Sequence, residues 1–217
     1  MTQAVRGCDN PKSQWRGLYA IADTGLIGSD LMDRVAQAIQ GGAAVVQYRS
    51  KEPDPLCSSE EARALLALCR RHGVPLIIND DVALAEIIGA DGVHVGHDDV
   101  SLAEARAVLG PHAMIGVSCY NSLDKALEAQ AAGADYVAFG RFFASLTKPN
   151  AVSADLSLLR EVRQKISIPI IAIGGITPEN GGGLIEAGAD MLAVIHGLFG
   201  HPNVALAANR YTKLFQH

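Results

Sequence analysis

From Gly17 onward, short apolar runs alternate with helix-like segments eight times, and nothing else in the chain restricts its fold so tightly. The runs are Leu18–Ala22, Ala44–Gln47, Leu76–Ile78, Gly92–Val95, Met114–Val117, Tyr136–Phe139, Ile170–Ile173 and Met191–Ile195. Runs this short and this continuously apolar fit strands buried on both faces, as in a parallel sheet. Pro75 and Pro169 enter the third and seventh, at the one strand position that tolerates proline.

The intervening segments carry helix signals. Leu31, Val35, Ala36 and Ile39 share a face between Asp30 and Gly41-Gly42. Ala62, Leu65, Leu66 and Leu68 mark the next segment. Ser101 to Glu104 reads as a capping box with Gly110 as the stop. Further segments run over Leu123–Ala132, Leu156–Ile166 and Val204–Phe215, and Thr177-Pro178 supplies a cap and first-turn proline for one closing near Gly188. Four echoes, GGAA from Gly41, GADG from Gly89, GADY from Gly133 and GADM from Gly188, each turn a helix end into a strand.

Eight βα units in about 200 residues predict an α/β chain closed as a single (β/α)8 TIM barrel. It is expected over residues 16–217 without an internal boundary, behind a loose tail over 1–15. An open doubly wound sheet is the alternative. It uses about five or six strands in its common orders, and a nucleotide fingerprint would follow its first strand. Gly25-Leu-Ile-Gly28 is too short for that fingerprint.

Bulk composition excludes several functions. The 217 residues are 49% hydrophobic and 19% charged, with a net charge of −5, which suits a globular enzyme rather than a disordered chain. No basic surplus points to nucleic acid. Any phosphate site must therefore be built locally. Cys8, Cys57, Cys69 and Cys119 form no CxxC pair, so structural zinc is not expected, and a reduced, cytoplasmic protein is. No apolar run reaches the roughly 18 residues of a membrane span.

Parallel α/β folds place chemistry at the carboxyl ends of their strands. Four polar stretches fall there or in the loop beyond: Gln47-Tyr48-Arg49-Ser50-Lys51, Asn79-Asp80-Asp81, His97-Asp98-Asp99 and Ser145-Leu146-Thr147-Lys148. Gln47, Arg49 and Lys51 alternate, so an extended backbone points them one way, as an anion clamp. A solvated loop with an accidental charge pair is the plain reading of the same residues. Asp80 and Asp99 can share a hard cation such as Mg2+, which takes one or two carboxylates plus water and phosphate oxygens. Helix capping is the other use of such residues, for Asp81 or Asp98 in particular. Ser145, Thr147 and Lys148 suit a loop that closes on phosphate. Gly174-Gly175 and Ile195-His196-Gly197 follow strands seven and eight, where this fold often binds phosphate. Ser118 can donate to a ligand, Cys119 reads as a spectator, and His94 reads as a barrel-lining histidine rather than a base.

In order and spacing these stretches resemble the thiamine phosphate synthase family over about residues 16–215. The motifs are Leu18-Tyr-Ala-Ile-Ala-Asp23, Gln47-x-Arg-x-Lys51, Ile78-Asn-Asp-Asp81, Gly89-Ala-Asp-Gly-Val-His-Val-Gly96 leading to Asp99, Ile115-Gly-Val-Ser118, Gly133-Ala-Asp-Tyr-Val-Ala-Phe-Gly140, Thr147-Lys148 and Ala172-Ile-Gly-Gly-Ile176. The resemblance implies condensation of hydroxymethylpyrimidine diphosphate with hydroxyethylthiazole phosphate, releasing pyrophosphate in thiamine biosynthesis. It implies that Gln47, Tyr48, Arg49, Ser50, Lys51, Asn79, Ser118 and Lys148 hold the pyrimidine diphosphate, with Arg49, Lys51 and Lys148 stabilising the leaving group. It assigns Mg2+ to Asp80 and Asp99, and the thiazole phosphate to Ser145, Leu146, Thr147, Gly175, Ile195 and His196. It suggests a homodimer, with no nucleic-acid or membrane partner.

The chain departs from the family pattern at Ala144-Ser145, where proline and threonine are usual, at His97 in place of glutamine, and at His196 in place of serine. Two other readings use the same barrel. A thiazole tautomerase needs neither diphosphate clamp nor metal, and a non-catalytic phosphate-ligand sensor needs no closing loop.

Overall fold

A computed structural model describes residues 15–50, 55–144 and 153–216. Eight parallel strands close into a barrel in chain order, with the last beside the first. They are β1 Gly17–Asp23, β2 Ala43–Arg49, β3 Leu76–Asn79, β4 Gly92–Val95, β5 Met114–Tyr120, β6 Tyr136–Phe139, β7 Ile170–Ile173 and β8 Met191–Val194. The helices are α1 Thr24–Ile27, α2 Leu31–Gln40, α3 Pro55–Arg71, α4 Val82–Ile88, α5 Leu102–Leu109, α6 Leu123–Ala131, α7 Leu156–Lys165, α8 Gly181–Glu186, α9 His196–Phe199 and α10 Val204–Lys213. The expected barrel is present.

Three local details differ from expectation. Strand β2 continues two residues past Gln47, and β5 three past Val117, with a register shift between Ser118 and Tyr120. Helix α8 begins four residues after Thr177. A turn occupies the gap, in which the Asn180 side chain accepts from the Thr177 N–H at 2.8 Å. Three successive glycines then open the helix, and glycine is a poor helix former.

The period of two along each strand divides the apolar residues into two cores. Tyr19, Ile21, Val45, Ile77, Tyr136, Ala138, Ile171, Met191 and Ala193 fill the barrel. A larger cluster, including Leu18, Ala20, Val46, Ile78, Val93, Val137 and Ala172, faces the helix layer. Two glycines make room inside. A Cβ on Gly92 would lie 1.9 Å from the Met114 carbonyl oxygen, and one on Gly116 would lie 1.9 Å from the Tyr136 ring. Trp15 packs against that same ring from just before β1, with centroids 4.9 Å apart.

The Gly-Ala-Asp echoes have a physical basis. Gly89, Gly133 and Gly188 follow α4, α6 and α8 with φ of 67°, 89° and 116°, values that glycine adopts without strain. The aspartate two residues on then grips the preceding strand twice. Asp91 donates its N–H to the Leu76 carbonyl and accepts the Leu76 N–H on Oδ2, at 3.1 and 2.8 Å. Asp135 does the same to Ile115 at 2.9 and 2.8 Å, and Asp190 to Ile170 at 2.8 and 2.8 Å. Arg106 and Arg163 pair with the second and third of these carboxylates.

Asp190→Ala leaves the fully buried Ile170 with an N–H that has lost its acceptor. The expected cost is about 1–3 kcal/mol. Urea unfolding should show a lower midpoint at unchanged slope. Turnover at saturating substrate should stay near that of the parent chain, because this clamp lies at the barrel end opposite the polar mouth; a large loss of turnover with little loss of stability would refute that placement.

Candidate active site

Inward-facing residues at the carboxyl ends of the strands line a cavity of about 150 Å³. Gln47 and Arg49 come from β2, Asn79 from β3, His94 from β4, and Ser118 and Tyr120 from β5. The apolar wall comes from Ile21, Ala138, Ile171, Ile173 and Ala193. A second cavity of about 220 Å³ adjoins it, lined by Ala144, Gly175, Thr177, His196 and Gly197, with Gly174, Ala193 and Ile195 common to both.

Arg49 forms an ion pair with Asp23 at the end of β1, and both side chains are only 13% exposed. The register explains the contact, since Asp23 and Arg49 are partners across the β1–β2 ladder and point to the same face. Burial strengthens such a pair and lowers the entropy lost when Arg49 meets an anion. The Thr24 hydroxyl donates to Ser50 just above it, at 3.3 Å.

Tyr48 lies between the two inward residues of β2, so its side chain points the other way. It is buried in the helix layer and its hydroxyl donates to Glu61 at 2.9 Å. Of the clamp segment, the structure therefore brings the Gln47 and Arg49 side chains into the cavity and turns that of Tyr48 to the helix layer. Lys51 lies outside the described residues, as do Ser145, Leu146, Thr147 and Lys148.

Asp80 and Asp99 do not line either cavity; both are tied to the end of β4. The Asp80 N–H donates to the His94 carbonyl at 2.8 Å, and Asp99 Oδ2 accepts the Gly96 N–H at 2.7 Å. Asp80 has φ of 64°, rare for a non-glycine residue and typical of positions held for a functional reason. Its Oδ2 also accepts from Asn79 Nδ2 at 2.6 Å. Asp81 instead caps α4, accepting the Leu84 N–H at 2.8 Å. Asp80, tied by its backbone N–H, and Asp99, tied by its carboxylate, thus meet the end of β4 two residues apart, and a pair of carboxylates is the kind of oxygen donor set that suits a hard divalent cation keeping water and substrate oxygens as its other ligands. Among the described residues, no group of three or more His, Cys, Asp or Glu converges as a softer metal site would require.

The second cavity owes its shape to glycine. Gly174 and Gly175 have φ of 103° and 62°, and a Cβ on Gly175 would lie 2.3 Å from the Ala144 carbonyl oxygen. Opposite them, Ile195 and His196 open α9, whose first-turn N–H groups face outward from the helix end. His196 borders the cavity, and its imidazole lies beside Gly200.

Three lining residues carried no functional signal in the sequence. Tyr19 and Tyr136 lie within apolar strand runs, and Tyr120 lies beyond the expected end of β5, where the alternation of the longer strand turns it inward with Ser118. Cys119 is buried and faces away, and burial pushes its thiol up to about 12, so it stays protonated and is no nucleophile at neutral pH. No helix among the described residues is long and apolar enough to cross a membrane.

Comparison with known proteins agrees with this arrangement. Residues 18–198 match the family model described as thiamine monophosphate synthase. The thiamine-phosphate synthase of Nitrosococcus oceani is 53% identical over 204 residues, covering 94% of each chain. That of Thiobacillus denitrificans is 52% identical over 199 residues, covering 92% of this chain and 94% of its own. The solved structure of thiamine phosphate pyrophosphorylase from Pyrococcus furiosus superposes with a TM-score of 0.85 at 30% identity, covering 95% of this chain and 98% of its own. The chain is thus a transferase that belongs to the thiamine monophosphate synthase family.

Proposed function

We propose that this enzyme joins 4-amino-2-methyl-5-(diphosphooxymethyl)pyrimidine to 4-methyl-5-(2-phosphooxyethyl)thiazole, releasing pyrophosphate. The observation that carries the reading is the pair of adjoining cavities on one barrel mouth, one bordered by Arg49 and polar side chains, the other by glycine backbone and the start of α9. Such a pair suits two phosphorylated substrates that must meet at their uncharged ends.

In this reading the pyrimidine ring enters the first cavity beside Gln47, Asn79 and Ser118, and its diphosphate rises to Arg49. Lys51 and Lys148, outside the described residues, are assigned to the same diphosphate on sequence grounds. The thiazole phosphate meets Gly175 and the amides opening α9; Ser145, Leu146 and Thr147, also outside the described residues, are assigned to the same phosphate on sequence grounds. The bond from the pyrimidine methylene to the diphosphate oxygen breaks, and its electron pair leaves with the diphosphate. The ring amine delocalises the positive charge left on the methylene. The thiazole nitrogen then supplies the pair for the new C–N bond. No protein nucleophile is needed. Arg49 accelerates the first step because charge grows on the leaving oxygens as the bond stretches. Apolar Ile171, Ile173 and Ala193 keep water from the cation. Asp80 and Asp99 would hold Mg2+, which supplies two further positive charges opposite the departing diphosphate.

Purified protein supplied with both substrates and Mg2+ should release pyrophosphate and form thiamine phosphate one for one, and a chelator should stop both. Folded protein that forms no product above background would rule the reaction out. Arg49→Ala and Asp99→Ala should each lower kcat about 10²–10³-fold, the usual cost of removing one charge-stabilising group, with circular dichroism unchanged. Near-parental rates in both would mean that the leaving group lies elsewhere. Asp23→Asn keeps the side-chain shape but weakens the hold on Arg49. A rise of about tenfold in KM for the pyrimidine diphosphate is expected, roughly one lost ionic hydrogen bond; an unchanged KM would show that Arg49 needs no such support.

A further inference from the structure

Along the wall of the first cavity a chain of hydrogen bonds crosses the barrel through residues the proposed reaction does not use. Gln47 Nε2 donates to the Tyr19 hydroxyl at 3.0 Å. The Tyr19 and Tyr136 hydroxyls are 2.9 Å apart. The Tyr136 hydroxyl is 3.1 Å from His94 Nδ1, and His94 Nε2 is 2.8 Å from Ser118 Oγ. The chain starts on β2, passes through β1, β6 and β4, and ends on β5. Both of its terminal residues line the cavity.

Each phenol in this chain has one proton, so the links are not independent. When Tyr19 accepts from Gln47, its own proton goes to Tyr136. Tyr136 then sends its proton to His94 Nδ1. A histidine that accepts on Nδ1 carries its proton on Nε2 and donates it to Ser118. The Ser118 oxygen is thereby occupied as an acceptor, and its hydroxyl proton is left for the cavity. Burial holds both phenols well above their ordinary range, so neither becomes a phenolate that could accept from both sides. An imidazolium would also break the order. Tyr136 would then have to accept from His94 and donate to Tyr19, leaving the buried Tyr19 proton without an acceptor.

We propose that Tyr19, Tyr136 and His94 are positioning residues that fix the direction of every proton in this chain and so present the Ser118 hydroxyl to the ligand as a donor. The proposal rests on the reading above for its ligand, an acceptor atom of the pyrimidine diphosphate. The same order leaves the Gln47 carbonyl oxygen as the acceptor at the other end of the chain. The cavity thus offers one donor and one acceptor three strands apart, before any ligand enters. The site is rigidly built for this. Tyr136 lies in the space that the missing Cβ of Gly116 opens, against Trp15 and at 5.5 Å from the His94 ring, nearly parallel to it.

The test uses the full chain labelled with nitrogen-15 histidine, without ligand, and long-range nitrogen–proton correlation spectra. The His94 ring is assigned from its loss in His94→Gln. The expected ring is neutral, with Nε2 protonated and Nδ1 bare. Tyr136→Phe keeps the aromatic packing and removes only the hydroxyl, and should shift His94 toward a mixture of tautomers. Tyr19→Phe should do so more weakly. A ring protonated on Nδ1, or one indifferent to Tyr136→Phe, overturns the proposal. A second measurement is kinetic. Ser118→Ala should lower kcat/KM for the pyrimidine diphosphate about 5–100-fold, as loss of one hydrogen bond does. The double variant Ser118→Ala with Tyr136→Phe should be no worse than Ser118→Ala alone. Losses that multiply would mean Tyr136 acts only through packing, and would equally overturn it. Should the protein make no thiamine phosphate, the proposed reaction fails, while the spectra still decide the proton order.

Discussion

Closure of the ring is the constraint from which the site follows. With β8 bonded to β1, no strand has an edge, and every second residue of every strand must point into one enclosed interior. Lower in the barrel those residues are apolar and fill it, as in Ile77, Ile171 and Met191. Toward the carboxyl ends of β2, β3 and β5 the inward residues become Arg49, Asn79 and Ser118. The change from core to site takes place along these strands themselves.

The clamp at Arg49 and the anchoring of Asp80 and Asp99 show how the mouth handles charge. The guanidinium is mostly buried, yet it is matched by Asp23 on the neighbouring strand. The Asp80 carboxylate accepts from the Asn79 side chain while its own N–H bonds the His94 carbonyl, and the Asp99 carboxylate accepts the Gly96 N–H. Each group is held by protein partners, which limits the ordering required when an anion and a cation bind.

Much of this was legible in the sequence, for identifiable reasons. Buried parallel strands are short and apolar throughout, so all eight were visible, and the period of two placed Gln47 and Arg49 on one face. That same rule turns the Tyr48 side chain outward, a consequence hidden when a contiguous motif is taken whole. The partner of Arg49 was harder to see. Asp23 closes a recognisable motif, but its pairing depends on strand register, which one sequence does not encode locally. Tyr120 depends on β5 running three residues past Val117, and strand ends leave only a weak signal in residue type. Tyr19, Tyr136 and His94 are strand residues with apolar bodies. Their polar atoms meet because Gly116 leaves room for the Tyr136 ring, a three-dimensional coincidence of small and large side chains.

The aspartate grips on Leu76, Ile115 and Ile170 join β3 to β4, β5 to β6, and β7 to β8, always within a sequential couple and never between couples. The barrel is therefore stitched two strands at a time, and its seams fall after β4 and after β6. A rearranged chain opened at either seam would carry all three stitches inside unbroken segments, whereas opening it between β5 and β6 would ask two distant chain ends to find each other before the stitch could form.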